Sequence, residues 1–312
     1  MSHSFHSTAV TASMALLLAS LGGASANAAS VNVGTALKDF NAIIFGNAST
    51  TSDIEGAAVI GGNFSGATVY NNPTAAQPAG FGALTVYGST NGNPINMDNG
   101  GSAYVGGTHG AIINFNGGGG YIGAPGVTIA DFETAFDSAS AKLSTLTATS
   151  TLPAPGNNEV INATPGASGI AVFDITAADL AAIPSYNIAL NGASTVIFNV
   201  SGDTIDFNGN DESGTTGADN IIWNFYQATK VTLGTELAGT VLAVQATVNN
   251  SNAIDGTLVA ASWGGDGELH NYGFAGPLPA GVPEPSTWAM MLLGFGGMGA
   301  MLRRARVRRA AA

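Results

Sequence analysis

Beyond residue 28, acid–base chemistry near neutral pH would depend on two histidines, His109 and His270. His270 follows Glu268 by two positions, and alternate residues of a strand point to the same side of a sheet. The pair could therefore act as a general acid and a general base. The simpler interpretation, which we favour, is a polar cluster that ties down one end of the domain. The two histidines are far apart in the sequence and no cysteine is present, so we predict no zinc site.

An acidic loop at residues 201–220 has the residue types that bind calcium. It contains five acidic residues and three asparagines, and Ca²⁺ prefers such carboxylate and amide oxygens. Its spacing fits positions one, three and five of an EF-hand loop, but it lacks the glycine at position six and the glutamate at position twelve. We therefore expect a solvated loop and no resident metal. The weak calcium candidates are Asp203, Asp206 and Asp211, with Asp53 and Glu55 as an alternative location.

The segment GGGYIG at residues 118–123 satisfies the dinucleotide-binding pattern G-x-G-x-x-G. The match follows from a run of four consecutive glycines, so we interpret the segment as a tight, exposed turn. Neither the G-x-S-x-G motif nor the H-E-x-x-H motif occurs in the sequence. We predict no catalytic residues, no cofactor site and no enzymatic activity.

The charge of the chain argues for a protein that works outside the cell. Residues 29–282 contain three lysines and no arginine, against nineteen acidic residues. Such a surface repels phosphate backbones, so we expect no nucleic-acid partner. With nineteen acids, some pair of carboxylates will always lie close together. A glycan hydrolase that uses two carboxylates is therefore kept only as an alternative.

Short β-prone runs separated by turn residues cover most of the sequence, and glycine is unusually frequent, at 44 of 312 residues. Two runs, GTVLAVQATV from Gly239 and GTLVAASW from Gly256, share a G-T-apolar-apolar-A core at a spacing of 17 residues. A repeat near this length fits one turn of a β-solenoid. We predict a mainly β fold, a right-handed β-solenoid or β-helix with a long flanking α-helix. A β-sandwich is the alternative.

Three segments have apolar residues at helical spacing, namely residues 35–46, 128–150 and 176–183. The longest begins with Thr128 and Asp131, which form the pattern of a capping box. We expect its apolar stripe to pack along the flank of the sheets. The first helix would place three large residues on one face: Leu37, Phe40 and Ile44.

Both ends of the chain have the features of targeting segments. Residues 1–28 contain a short apolar core followed by small-x-small cleavage patterns, which predicts a signal peptide. Residues 286–302 are uncharged and long enough for a short transmembrane helix. Trp288 would lie near the outer interface, and the arginines that follow the helix would mark its cytoplasmic side: Arg303, Arg304, Arg306, Arg308 and Arg309.

The sequence VPEPSTWAMMLLGFGGMGAMLRRARVRR near the end resembles a PEP-CTERM sorting signal. Such a signal has a Pro-Glu-Pro triplet, here Pro283, Glu284 and Pro285, then a short transmembrane helix and a basic end. The resemblance implies an exosortase, a membrane protease-transpeptidase of Gram-negative bacteria that make exopolysaccharide. It further implies a transient stay in the inner membrane, then release or attachment at the surface. We assign residues 281–312 to this signal and residues 29–280 to the domain.

The domain resembles the choice-of-anchor A family at both of its ends. The opening has a phenylalanine-asparagine turn at Phe40-Asn41, then SDIEG at 52–56 and AVIGGN at 58–63. The family is similar to adhesive domains of bacterial surface proteins, and no catalytic residues are established for it. The closing part has four further matches: WNF at 223–225, GTVLA at 239–243, DGTLVA at 255–260 and GELHNY at 267–272.

These observations together predict an exported, non-enzymatic protein of the cell surface or extracellular matrix. It would be an adhesin associated with exopolysaccharide and biofilm, with an exosortase as its processing partner and a polysaccharide or another surface component as its ligand. Ice binding is the first alternative, because a solenoid face with threonine ladders can order water. No sustained T-x-T ladder is present, so ice binding ranks lower. A glycan-active hydrolase is the second alternative.

Overall fold

The computed structural model describes residues 31–282 of the 312-residue chain. This part is mainly β. The helices are α1 Val33–Asp39, α2 Ile129–Leu143 and α3 Ala177–Ala181, with a 3-10 turn at Ala218–Asn220. The strands are β1 Phe40–Ile44, β2 Ala48–Thr50, β3 Ala57–Ile60, β4 Phe64–Ser65, β5 Thr68–Val69, β6 Leu84–Val86, β7 Ile95–Met97, β8 Ala103–Val105, β9 Ile113–Phe115, β10 Glu159–Asn162, β11 Ile170–Thr176, β12 Ser185–Ala189, β13 Thr195–Ser201, β14 Thr204–Phe207, β15 Asn210–Asp211, β16 Ile221–Asn224, β17 Lys230–Leu233, β18 Leu237–Ala238, β19 Thr240–Asn250, β20 Ile254–Asp255, β21 Leu258–Gly265 and β22 Leu269–His270.

The strand pairs within residues 31–282 are all parallel. The main sheet follows the order β11-β13-β16-β19-β21-β1-β3-β6-β8, and three smaller sheets have three strands each. Parallel pairing of successive turns of the chain is consistent with a β-helix-like fold. It does not match the antiparallel pairing of a β-sandwich. We refer to the piled turns as the stack.

The predicted 17-residue repeat is confirmed by the register of β19 with β21. Val241 pairs with Leu258, and Ala243 pairs with Ala260. The other neighbour of β21 is β1, where Leu258 pairs with Ala42 from the beginning of the domain. The chain therefore starts in the middle of the main sheet and builds one end of the stack, up to β8. After α2 it continues from β11 and returns to the middle at β21.

The main sheet is buried on both sides, as is usual for parallel strands. All five residues of β1 are buried. The inner side packs into the interior of the stack, which we call the inner core and which contains Ile44, Phe198 and Trp223. The outer side is covered by α1 and α2, whose apolar residues form an outer core that includes Ile43 and Phe136. The long flanking helix thus has the position that its apolar stripe predicts.

The prediction of a helix over residues 35–46 is wrong for its second half. Helix α1 ends at Asp39, and Phe40 already has an extended backbone with φ −112° and ψ 141°. Residues 40–44 form β1 instead, because they pair with β3 on one side and with β21 on the other. The two β-branched residues Ile43 and Ile44 suit a strand that is buried on both sides. Tertiary pairing here outweighs the helical spacing.

The capping box predicted for the longest helix is confirmed. The Thr128 side chain accepts a hydrogen bond from the backbone N–H of Asp131, and the Asp131 carboxylate accepts one from the backbone N–H of Thr128. Helix α3 has the same arrangement with Thr176 and Asp179. Helix α2 is shorter than the predicted range and ends at Leu143. Both helices therefore begin where their sequence signals place them.

Several predicted segments lie outside the described residues. These are the signal peptide at 1–28, the triplet Pro283, Glu284 and Pro285, and the membrane-flanking residues Trp288, Arg303, Arg304, Arg306, Arg308 and Arg309. Among residues 31–282, no helix combines the length and apolar character that a membrane span requires.

Candidate functional site

One face of the stack carries a regular array of short polar side chains. It consists of the strands β14, β17, β2 and β4, together with the C-terminal parts of β19 and β21. Beyond β4 it continues through two isolated bridges, one between Phe64 and Thr90 and one between Thr90 and His109. Alternate residues of these strands point outward, and we call their surface the polar face. From strand to strand, one row contains Thr204, Lys230, Thr247, Ser262, Asn47, Asn63, Ser89 and Thr108. The adjacent row contains Asp206, Thr232, Asn249, Gly264, Ser49, Ser65 and Asn91.

Hydrogen bonds between neighbouring turns hold the first row in place. The hydroxyls of Thr247 and Ser262 lie 2.8 Å apart. The amide oxygen of Asn47 accepts a hydrogen bond from the backbone N–H of Asn63 at 2.8 Å, and that of Asn63 accepts one from the backbone N–H of Ser89 at 2.9 Å. The side chains are therefore ordered before any ligand arrives, which lowers the entropy lost on binding.

A repeated four-residue motif builds the corner at which the main sheet meets the polar face. It reads IFGN at 44–47, IGGN at 60–63, VYGS at 86–89 and VGGT at 105–108. The third residue is glycine because the turns touch backbone to backbone: a Cβ on Gly88 would lie 2.4 Å from the carbonyl oxygen of Gly62. The fourth residue is the outward polar one. This repeat is not evident in the sequence alone because its copies are unevenly spaced.

Most of the polar face is uncharged, although the domain is strongly acidic. Lys230 and Asp206 lie on the two strands at one end. From Thr247 to Thr108 the two rows contain only threonine, serine, asparagine and glycine. Hydroxyl and amide groups of this kind both donate and accept hydrogen bonds. The face can therefore bind the hydroxyls of a sugar, or ordered water, without a counter-ion.

Many of the acidic residues gather on another face, which we call the acidic face. It consists of β18, β20 and β22, the bridging residue Ile54, and then β5, β7 and β9. It carries Asp53, Glu55, Asp98, Glu236 and Glu268, and Asp255 is buried behind it. The structure thus separates a neutral array from an acidic one on two surfaces of the same stack.

His270 is held between two carboxylates of the acidic face. Its Nδ1 lies 2.5 Å from Oδ1 of the fully buried Asp255, and its Nε2 lies 2.9 Å from Oε2 of Glu268. The side chain of Asn41 donates a hydrogen bond to the carbonyl oxygen of His270 at 2.9 Å. Glu268 and His270 therefore meet, and their contacts join β22 to β20 and β1 in the manner of a structural tie.

The surroundings shift the pKa values of two groups in this cluster. Burial alone would lower the pKa of His270, but its hydrogen bonds to Glu268 and Asp255 outweigh burial and raise the pKa above its ordinary value. The neighbouring carboxylate of Asp255, together with burial, raises the pKa of Glu236. Both shifts favour the protonated forms.

The three calcium candidates are not brought together. Asp206 lies on β14 of the polar face, whereas Asp211 lies on β15 in a separate sheet. The Asp203 carboxylate accepts a hydrogen bond from the hydroxyl of Thr229 at 2.8 Å. Burial raises the pKa of Asp211 and so disfavours the charged form that binds calcium. Residues 31–282 contain no group of three or more His, Asp or Glu placed to hold a metal ion.

A cavity of about 330 Å³ beside α3 contains two carboxylates, Asp174 and Asp179. Two carboxylates in a cleft are what a glycan hydrolase needs, and one of them must have a raised pKa to act as the acid. Asp179 instead accepts hydrogen bonds from the hydroxyl and the backbone N–H of Thr176, and these bonds lower its pKa. Asp179 therefore does not have the raised pKa that the acid of such a pair requires.

Comparison with solved structures finds a distant similarity. The chain matches the crystal structure of an ice-binding protein from the Antarctic ascomycete Antarctomyces psychrotrophicus, with 16% identity and a TM-score of 0.36. The match covers 77% of this chain and 97% of that chain. None of the curated proteins is similar enough in sequence to count as a match.

Two sequence families match the chain. Residues 281–308 match the PEP-CTERM protein-sorting motif, which implies exosortase processing and indicates export to the surface or the extracellular space. Residues 33–271 match the family described as "Putative Ice-binding-like adhesive domain". The match supports an adhesive domain, but the choice-of-anchor A name is not confirmed. This second match spans most of the chain and nearly all of its described residues. The chain belongs to the family of ice-binding-like adhesive domains.

Proposed function

We propose that the domain is a non-enzymatic adhesin of the cell surface or extracellular matrix, and that its polar face binds exopolysaccharide. The observation that carries this proposal is the uncharged, hydrogen-bonded array of threonine, serine and asparagine in an otherwise acidic domain. The array needs no cofactor or metal, and the membership in an adhesive family supports an attachment role.

The spacing of the array supports a repeating ligand. In the proposed fold, a right-handed β-solenoid, each turn contributes one residue to each row, and neighbouring strands lie about 4.8 Å apart. A polysaccharide or an ice surface presents hydroxyl groups at regular intervals, so several turns can bind one ligand at once. Many weak hydrogen bonds to one ligand then add up. An acidic polymer is not repelled there, because the uncharged part of the face has no acidic side chains.

The targeting segments support the place of action. We propose that the chain crosses the inner membrane with its signal peptide, is held there transiently by the tail, and is released or attached at the surface once an exosortase acts on Pro283, Glu284 and Pro285. The final attachment would bring many copies of the polar face to the matrix of a biofilm. Such multivalency raises the overall strength of attachment well above that of a single domain.

The test introduces bulky side chains into the array. We expect Ser49→Tyr and Asn249→Tyr, both at exposed outward positions, to weaken binding to the exopolysaccharide of the producing bacterium about tenfold or more, which corresponds to ~1.4 kcal/mol. The matched control is Asn96→Tyr, also exposed but on the acidic face. Binding is measured by calorimetry on the purified protein and attachment by a biofilm assay. Unchanged binding by both polar-face variants would contradict the proposal.

Ice binding is the second candidate, and the outward polar-x-polar pattern on successive turns supports it. Thermal hysteresis and ice recrystallisation of the same variants distinguish the two ligands. Hysteresis that is abolished by Ser49→Tyr, together with no affinity for polysaccharide, would assign ice to the face. The absence of thermal hysteresis in the unchanged protein would leave polysaccharide as the ligand.

A further inference from the structure

The end of the stack formed by β8 and β9 exposes aromatic and apolar side chains. Five large hydrophobic residues are exposed among residues 31–282, and three of them lie here: Ile112 at 69%, Tyr121 at 50% and Ile122 at 36%. The Tyr121 ring contacts the rings of His109 and Phe115, with centroid distances of 4.6 and 5.1 Å. We call this group of five residues the aromatic end.

The strands at this end have open edges. Within the described part of the chain, β9 pairs with β7 alone, and β8 is covered on its outer side only by the single bridge of Ala103 with Tyr121. In a parallel strand, alternate residues direct their N–H and C=O groups away from the paired neighbour. Such an edge is a template for another strand unless something blocks it.

A helix covers part of the opposite end of the stack. Helix α3 packs against β11 and β14 there, and the segment before β10 bridges to the edge of β11 through Ser150 and Phe173. Stacked repeats generally need such capping at their ends. One large hydrophobic residue, Val160, is exposed at 44% on this covered end. The covered end therefore has a helix across part of its surface, although β10 there pairs with β12 alone.

The last turn at the open end contains no charged side chain of its own, and one carboxylate of the preceding turn, Asp98, accepts a hydrogen bond from the Asn116 side chain there. Residues 99–130 contain no Asp, Glu, Lys or Arg, in a domain that has nineteen acids and three lysines. Two copies of so acidic a domain repel each other, and at physiological salt this repulsion reaches over about 8 Å. The aromatic end is the place at which two copies can approach with the least repulsion.

We propose that the aromatic end binds the same end of a second copy of this chain, so that two stacks join end to end in a symmetric dimer. A second copy supplies the same open edges and the same apolar side chains. Because each copy uses the same surface, the contact joins like ends and closes as a dimer, rather than continuing into a fibre. The contacts of Tyr121 with His109 and Phe115 order this ring in advance, which lowers the cost of association.

The dimer would also change what the proposed adhesin can bind. Two polar faces on one rigid double-length stack bind a long polymer more strongly than two separate domains do. This consequence rests on the proposed function, but the dimer itself does not. The association and the polysaccharide affinity are therefore measured separately.

The association is tested on the protein ending at residue 282, by sedimentation equilibrium over about 1–500 µM, and on the full-length chain in detergent. We expect a concentration-dependent dimer. Ile112→Asp with Ile122→Asp should weaken it at least tenfold, because two pairs of like charges then meet at the interface. Val160→Asp, at the covered end, is the matched control and should leave the dimer intact. The melting temperature of each variant confirms that it folds.

A cross-linking experiment gives an independent readout. The chain has no cysteine, so Ile112→Cys provides one reactive thiol at the aromatic end, and a short bis-maleimide should join two full-length copies through it. Val160→Cys should give no such product. A monomer at all concentrations, or a dimer equally sensitive to the changes at both ends, would overturn the proposal. If the protein is a monomer and Ile112→Asp abolishes its polysaccharide binding, the aromatic end is a glycan site. That result would also overturn the proposed dimer.

Discussion

At the scale of residues, the structure gives short polar side chains and acidic side chains different tasks. On the polar face, Asn47 and Asn63 use their amide oxygens to accept hydrogen bonds from the next turn. On the acidic face, His270 lies between the carboxylates of Asp255 and Glu268, and its protonated form balances part of their negative charge. The first arrangement orders a surface, and the second holds β22 in place.

The raised pKa of His270 predicts how stability changes with pH. The folded state binds the imidazole proton more tightly than the unfolded state does, so the stabilisation is complete below a pH of about 6.5 and is lost as the pH rises through the folded pKa. We expect the melting temperature to fall by roughly 1–3 °C between pH 6 and pH 8.5, a modest change because His270 is partly exposed to solvent.

His270→Gln should remove most of this pH dependence, whereas His109→Gln, on the other histidine of the domain, should leave it unchanged. Calorimetric scans of the three proteins across this pH range provide the measurement. A melting temperature that rises with pH in the unchanged protein would contradict the assignment of a protonated His270 between Asp255 and Glu268.

At the scale of elements, the sequence predicts which segments form strands better than it predicts which strands pair with each other. The 17-residue repeat of β19 and β21 is readable because the loop between them is short. Other partners, such as Ile170 and Thr195, are 25 residues apart, so loops of variable length hide the period. The pairing of β21 with β1 joins the two ends of the domain, so nothing in the sequence near either strand indicates its partner. The rows of the polar face depend on these pairings and could not be read from the sequence alone.

The same scale explains how α2 is fastened to the main sheet. The Asn224 side chain, fully buried, donates hydrogen bonds to the carbonyl oxygen of Ser140 at 3.0 Å and to Oδ1 of Asn199 at 2.9 Å, and it accepts one from the Ser140 hydroxyl at 2.6 Å. Asn199 in turn donates to the carbonyl oxygen of Leu143 at 2.8 Å. The helix is therefore held by a polar network as well as by the outer core.

We expect Asn224→Ala to lower the free energy of unfolding by about 2–4 kcal/mol, because it leaves several buried groups of α2 and β13 without partners. Asn249→Ala, which removes the same side chain from the exposed polar face, should change it by less than about 0.5 kcal/mol. Urea denaturation of both variants gives the comparison. A loss of under 1 kcal/mol for Asn224→Ala would mean that apolar contacts alone hold α2.

At the scale of the whole molecule, the attachment point and the proposed binding surface lie on different sides of the stack. Val282, the last described residue, is buried in the outer core together with Val31 and the residues of α2. Before it, the carbonyl oxygen of Pro277 accepts a hydrogen bond from Thr195 at 2.8 Å. The tail therefore begins on the helix-covered side, so the membrane stage proposed above would leave the polar face free.

The sorting signal predicts a clear processing defect. Because Glu284 is the charged member of the triplet that the exosortase is expected to recognise, we expect Glu284→Ala to accumulate at full length in the membrane fraction and to be depleted from the medium and the cell surface. Immunoblots of the fractions measure this outcome. Glu268→Ala also removes one carboxylate but lies in the folded domain, so its processing should be normal. Normal processing of Glu284→Ala would mean that the tail is a plain anchor, and the polar face would then act at the membrane surface.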